Sequence, residues 1–481
     1  MVAALRPLDG EGSREGYAAL GLSLYMSRRF EEALAVYDAG LRIAPADPEL
    51  RNGRGVALLE LRRPAEARDE FVRALAADPN CLDALGNLGN ALLKLNRPDE
   101  ALAAYDGALK IVPHNAQLLT NRAVVLRRLD RPQEALMSAA RALAEKPDFA
   151  QARFVASVAR LTLGDFAAGW RGYEARWSVG ALASQRRNFA APLWRGSEPL
   201  SGKTILLHAE QGFGDTIQFV RYAPLVAARG AHVVLEVQRE LTRLCASLPG
   251  IADVIARGET LPPFDCHCPL LSLPLAFATD ATNIPAAVPY LAPAAGEVAA
   301  WRARLPHGRP LVGLCWSGER GHDNDLNRSM ALETLAPLFD VPDVQFVSLQ
   351  RDVRDTDAPL LAQRSDIIPI GPQFSDFAET GAAIAALDLV ISVDTAVAHL
   401  AGAMGKPLAL LLPFAADFRW LRERSDSPWY PAARLLRQPR FGDWASVVEV
   451  ARAEVKTIVG ADPDSSYAGL TRVSMVTGRT G

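Results

Sequence analysis

Five columns of residues recur every 34 positions through the first third of the chain, and that period leaves few folds open. Prolines stand at Pro45, Pro79, Pro113 and Pro147, and alanines at Ala33, Ala67, Ala101 and Ala135. Tyr37, Phe71 and Tyr105 hold an aromatic column, with Ala139 in its fourth place. Small residues mark Gly21, Gly55, Gly89 and Ala123, and Leu24, Leu58, Leu92 and Leu126 follow each three residues later. The pattern predicts a repeated helical hairpin. Two amphipathic helices of about a dozen residues pack where small side chains let the backbones approach. The proline ends the second helix, because it has no N–H and its ring clashes with the preceding turn.

These columns resemble the tetratricopeptide repeat (TPR) over residues 11–147. A degenerate fifth unit keeps Gly169 and Tyr173 on the same step but adds Trp170 and Trp177. Atypical terminal units cap a solenoid or dock it on its neighbour, so the array is expected to run over 11–180. Such repeats bind and do not catalyse. Asn87 and Asn121 are one period apart, two residues before the small column. They are either solvated positions or amides that clamp a peptide backbone, since a carboxamide both donates and accepts. The array resembles that of the TPR-bearing protein O-GlcNAc transferases, and this implies an asparagine ladder holding an extended acceptor. Repeats one and two carry Ala19 and Gly53 in its place.

At 481 residues the chain is long enough for about three domains. Lys plus Arg number 52 against 55 Asp plus Glu, a net charge of −3, which speaks against a protein that coats nucleic acid. Five cysteines form no framework and fit a reducing, cytoplasmic setting. The first residues lack a basic start followed by an apolar core, so no signal peptide is expected, and no apolar run is long enough to span a bilayer.

From about residue 200 the pattern changes. Short apolar runs at Thr204–His208, His232–Val237, Leu311–Trp316, Val344–Leu349, Ile367–Ile370, Leu389–Val393 and Leu408–Leu412 alternate with helical stretches. Such alternation predicts parallel sheets flanked by helices. The Pro/Ala-rich stretch 284–299 reads as the connection between two Rossmann-like domains, 199–299 and 300–460, with a cleft between them. The polar tail 461–481 is expected to be disordered.

Ligands in open α/β sheets sit beyond the carboxyl ends of strands. Past the first run lies Gln211-Gly212-Phe213-Gly214-Asp215, which lacks the third glycine of a dinucleotide fingerprint and the Gly-Lys of a P-loop. Asp215 is either a helix-capping carboxylate or a base in the cleft. Past Val393, Asp394 and Thr395 start a helix, with His399 one turn on from Thr395; it is either a capped helix with a packed histidine or one whose free N–H groups hold a diphosphate.

The glycine–aspartate turn and the segment Ser392 to Ala403 resemble the glycosyltransferase family 9 heptosyltransferases, and still more the bacterial proteins that fuse tetratricopeptide repeats to such a domain. The resemblance covers about residues 199–457. It implies an all-α TPR superhelix followed by an α/β GT-B fold. It also implies a nucleotide-sugar donor and inverting transfer with no essential metal. Asp215 falls at the family's proposed base, and Asp394, Thr395 and His399 at its donor site. The lysine often found in the family's phosphate loop is not obvious in Trp316–Ser329, where Ser317 and Arg328 stand, and Arg328 would supply the cation. Similar repeat-bearing transferases modify flagellin or another surface-appendage subunit, which gives the protein acceptor to expect.

Two D-x-D strings, Asp323/Asp325 and Asp355/Asp357, are within chance for 55 acidic residues, and Cys266-His267-Cys268 has the wrong spacing for zinc. The expectation is a cytoplasmic glycosyltransferase with a protein acceptor. Its rivals are a non-enzymatic TPR scaffold with an inactive sugar-nucleotide-binding domain, and a sugar-nucleotide epimerase.

Overall fold

The computed structural model describes residues 13–459, so the array's first two residues, residue 460 and the polar tail lie outside the described residues. The chain divides into two compact units that part at Ala159/Arg160. The array was expected to end at residue 180. The residues from Arg160 onward instead pack with the α/β unit.

The first unit is all helix: α1 (Arg14–Met26), α2 (Phe30–Ile43), α3 (Pro48–Glu60), α4 (Pro64–Ala77), α5 (Leu82–Lys94), α6 (Pro98–Ile111), α7 (Ala116–Arg128), α8 (Pro132–Glu145) and most of α9 (Ala150–Thr162). The sequence columns explain the packing. A Cβ added to Gly21, Gly55 or Gly89 would stand 2.5 Å from the ring of Tyr37, Phe71 or Tyr105, so each glycine is the notch that seats its partner helix's aromatic. The repeated alanines Ala33, Ala67, Ala101 and Ala135 are fully buried. Within each hairpin the chain reverses through a left-handed residue, Arg28, Arg62, Asn96 and Asp130, with φ between 52° and 60°. Next to it Arg29, Arg63, Arg97 and Arg131 each pair with the glutamate three residues on. No described helix is long and apolar enough to cross a membrane.

The second unit opens with the end of α9, α10 (Phe166–Tyr173) and α11 (Gly180–Ala183). Two parallel sheets follow. The four-stranded sheet holds β1 (Thr204–His208), β2 (His232–Val237), β3 (Ile251–Ala256) and β4 (Cys266–Pro269) in the order β3-β2-β1-β4. The six-stranded sheet holds β5 (Leu311–Cys315), β6 (Gln345–Ser348), β7 (Ile367–Pro369), β8 (Leu389–Val393), β9 (Leu408–Leu412) and β10 (Ala433–Arg437) in the order β10-β9-β8-β5-β6-β7. The central strands β5, β8 and β9 are buried along their whole length, as parallel strands covered on both faces must be. Strand order reverses between β1 and β4 and again between β5 and β8, and these reversals are where α/β sheets leave a crevice.

Candidate functional site

Four strand ends in the second unit deliver the site. β1 runs into Gln211, held at φ 55°, and then into α12 (Phe213–Phe219). Gly212 donates its N–H to Asp215 Oδ2 at 3.0 Å, so Asp215 closes the first turn of α12 from its third position. The other Asp215 oxygen accepts from the Arg419 guanidinium, which comes from the loop after β9. Arg419 also donates to Asp417 at 2.8 Å and to the Gln218 carboxamide at 2.6 Å. One cation therefore ties the end of β1 to the end of β9.

β8 ends at Val393, and Asp394 leads into the helix Ala396–Ala403 with Thr395 as its cap residue. The Thr395 hydroxyl makes no capping bond and turns instead to Ser392 Oγ at 3.1 Å, which leaves the helix's first N–H groups uncapped by that side chain. Asp394 accepts from the Trp420 indole N–H at 2.9 Å through a carboxylate oxygen, and from Arg328 at 3.1 Å through its carbonyl. Burial, then the nearby Asp417, pushes the Asp394 carboxyl up to about 6. His399 is buried; its Nδ1 lies 2.8 Å from the Tyr430 hydroxyl, its Nε2 3.6 Å from Asp394, and its ring stacks on Trp420. A Cβ on Gly214 would fall 2.7 Å from this ring, so that glycine is what lets α12 approach. Burial and then the surrounding Arg419, Arg221 and Arg328 hold His399 well below its ordinary pKa. It is a neutral, packed histidine that backs the Trp420 ring, whose indole N–H holds Asp394.

β5 ends at Cys315 and runs into the turn Trp316-Ser317-Gly318. The Gln350 carboxamide clamps this turn, accepting from the N–H groups of Trp316 (3.2 Å) and Ser317 (3.1 Å) and donating to the Ser317 carbonyl (3.0 Å). The Arg328 guanidinium lies over Gly318, where a Cβ would stand 2.6 Å from it. The buried Ser317 Oγ and Arg328 Nε have no hydrogen-bond partner. Of the expected site residues, Asp215, Asp394, His399, Arg328 and Ser317 thus converge, with Thr395 between β8 and its helix. Arg419, Asp417, Trp420, Gln218 and Gln350 join them without any motif having marked them.

The D-x-D strings serve other ends. Asp325 accepts from Ser329 and Arg354, both at 2.6 Å, and Asp357 accepts from the Trp316 indole at 2.8 Å. His267, between its two cysteines, faces His208 at 3.1 Å. Among the described residues no group of three or more His, Cys, Asp or Glu is placed to hold a metal.

In the first unit, Asn87 donates to Asn52 at 3.0 Å, and Asn121 accepts from Gln117 at 2.8 Å. Gln117 also donates to Gln151 at 3.3 Å. The two asparagines belong to a wider set of amides on α3, α5, α7 and α9; Gln117 and Gln151 stand on the 34-residue step and were legible there.

A family model described as tetratricopeptide repeat matches residues 18–73 and 52–116, which with the helices above makes the first unit a tetratricopeptide-repeat array. Arrays of this kind bind protein partners. The chain is 27% identical over 442 residues to Protein FlbA of Caulobacter vibrioides, covering 86% of this chain and 74% of that protein. It is 34% identical over 77 residues to the inactive TPR repeat-containing thioredoxin TTL3 of Arabidopsis thaliana, covering 16% of this chain and 11% of that protein. Among solved structures it is similar to YrrB, a TPR protein with an unusual peptide-binding site, at 22% identity and a TM-score of 0.31, covering 35% of this chain and 87% of that one.

Proposed function

We propose that the α/β unit is a GT-B glycosyltransferase of the family 9 type, and that the repeat array recruits its protein acceptor. The observation that supports this is the β5/β8 reversal. There an uncapped helix start, the Arg328 cation and the unpartnered Ser317 Oγ and Arg328 Nε meet at the place where a parallel sheet binds its ligand. A diphosphate is the anion that suits such donors, and a nucleotide sugar carries one. In the transfer, an acceptor hydroxyl oxygen forms its bond to the anomeric carbon as the bond from that carbon to the diphosphate oxygen breaks. Asp215 takes the hydroxyl proton, and Arg328 with the helix N–H groups stabilises the departing nucleoside diphosphate. No step requires a metal. The acceptor that the resemblance implies is flagellin or another surface-appendage subunit, modified in the cytoplasm.

A second reading is a scaffold that binds a sugar nucleotide without turning it over. It is favoured by the commitment of Asp215 to Arg419 and to the Gly212 N–H. A thermal-shift panel of nucleotide sugars, followed by donor hydrolysis with and without EDTA, separates the two. A ligand at a hundred times its dissociation constant stabilises the fold by about 2.7 kcal/mol. Binding followed by EDTA-resistant hydrolysis supports the transferase, binding alone supports the scaffold, and stabilisation by no nucleotide sugar sinks both. Replacing Asn87 and Asn121 by alanine is expected to weaken acceptor capture by about 1 kcal/mol per lost amide contact while leaving donor binding unchanged.

A further inference from the structure

We propose that α10, the last helix of the degenerate fifth repeat, is a working part of the candidate site: Trp170 and Tyr173 position the Arg419–Asp215 bridge. The Trp170 indole is 1% exposed and, beyond its own helix, meets two rings edge-on, Phe219 at 6.2 Å and Phe418 at 5.7 Å. Phe219 ends α12 and adjoins Gln218, the residue that accepts the Arg419 Nε–H. Phe418 adjoins Arg419 itself. The Arg419 guanidinium lies 4.7 Å over Phe418 and 5.7 Å from the centre of Phe219. The two rings against which Trp170 is wedged are therefore the two that flank the bridging cation, one from each sheet's side of the site. A guanidinium buried against ring faces keeps its orientation only while those rings keep theirs.

Tyr173, three residues on and so on the same helix face, reinforces the other end. Its ring packs on Phe418 at 6.0 Å, and its hydroxyl accepts from the Gln211 carboxamide at 3.4 Å. Gln211 is the left-handed residue before Gly212, whose N–H fixes Asp215. A non-glycine residue in that region persists only where its surroundings hold it. Arg176 then reaches the same strand end, donating twice to buried Glu210 at 2.8 Å and once to Ser272. Burial first, with Asp215 adding to it, pushes the Tyr173 phenol up to about 12, so it stays a neutral hydroxyl. These contacts tie α10 to the loops after β1 and β9 at once. Burying the array's end alone would need an apolar face; it would not need contacts that converge on one ion pair.

The test is backbone hydrogen exchange on the full chain, comparing Trp170→Ala, Trp170→Phe and Tyr173→Phe with the native protein. In Trp170→Ala the amides of 213–219 and 418–421 should exchange about tenfold faster or more, while the strands β5, β8 and β9 keep their protection. Trp170→Phe, which returns a ring to the wedge, should restore most of it. Tyr173→Phe should loosen mainly 211–216. Unchanged exchange at both segments in Trp170→Ala and Tyr173→Phe overturns the proposal, as does a uniform rise across the unit that Trp170→Phe does not reverse. Should Trp170→Ala fail to fold, Tyr173→Phe decides alone: no change at 211–216 overturns it. That the bridge is a reacting centre rests on the glycosyltransferase reading. The exchange measurement needs neither donor nor turnover, so a chain that binds no nucleotide sugar would end that reading and leave this one standing.

Discussion

Arg419 and Asp215 are ion-paired across 204 residues of sequence, and this one contact joins the loop after β9 to the first turn of α12. Both side chains are mostly shielded from water, at 10% and 20% exposure, so neither partner can be lost cheaply. Truncating one side of a buried pair leaves an uncompensated charge, at a cost of about 3 kcal/mol. Arg419→Ala, which strands Asp215 and Asp417 without their shared cation, is therefore expected to lower the urea midpoint more than Asp215→Asn, whose single carboxamide oxygen still accepts from one of Arg419 and the Gly212 N–H. Equal losses would show that the pair is not what holds this corner.

The same Asp215→Asn protein tests catalysis. The amide preserves the shape of the turn but cannot accept a proton. Transfer should fall by roughly 10²-fold or more, with donor affinity within a few-fold of native. Turnover at the native rate would remove Asp215 from the mechanism.

The array makes a separate prediction at Gly89. Replacing a helical glycine by alanine ordinarily stabilises a helix by about 1 kcal/mol. At Gly89 the added methyl would stand 2.5 Å from the Tyr105 ring, which is itself fully buried and cannot step aside. Overpacking of this kind costs about 1–3 kcal/mol. Gly89→Ala should therefore lower the melting temperature of the array, and a gain would mean that the notch is looser than its geometry.

The features legible in the sequence were those written in short-range pattern. The 34-residue step gave the hairpins, and the buried apolar runs gave β1, β2 and β5 to β9 within a residue or two. β3 escaped because its residues are partly exposed and show no clean alternation, and β4 because it is four residues long and ends in proline. β10 is an edge strand with an arginine at either end of its apolar pair. The strand-end rule pointed to Asp215 and Asp394, and the family resemblance to Ser317 and Arg328. Neither could find Arg419, Trp420 or Gln350, whose partners lie 204, 26 and up to 34 residues away. No local spacing records such pairings. His399 was legible either as a packed histidine or as a donor-site residue, and it is buried against Tyr430 and Trp420.

Acid should weaken the second unit through its histidines. His208 is held down to about 3, by burial first and by His267 second, against an ordinary value of 6.5. A base whose pKa is depressed by folding binds its proton in the unfolded chain first. Its stabilising contribution is present above pH 6.5 and is lost as the pH falls toward about 3. His399 acts in the same direction. The urea midpoint should therefore fall between pH 7 and pH 5. In His208→Phe, which keeps a ring against Phe189, the slope should be shallower by up to about 1.4 kcal/mol per pH unit. An identical slope in the variant would show that His208 takes up its proton without unfolding.

Asp394 should act in the opposite sense. Its carboxyl is pushed from 3.8 up to about 6 by burial first and by Asp417 second. An acid raised in this way contributes stability below its ordinary value and loses that contribution as the pH rises through about 6, so at neutral pH the ionised form is a cost. Asp394→Asn carries no such cost and still accepts from the Trp420 indole. It should be more stable than the native chain at pH 8, with the advantage shrinking as the pH falls below 6. The same carboxylate stands where the proposed diphosphate would bind, and two anions in one place repel each other. Native affinity for a nucleotide sugar should therefore rise as the pH falls from 7 to 5, since its diphosphate has no group of its own that titrates in that range. In Asp394→Asn the affinity should be flat over the same interval. Calorimetry on both proteins across those pH values is the measurement. Parallel curves would mean that Asp394 either stays charged throughout or lies away from the ligand.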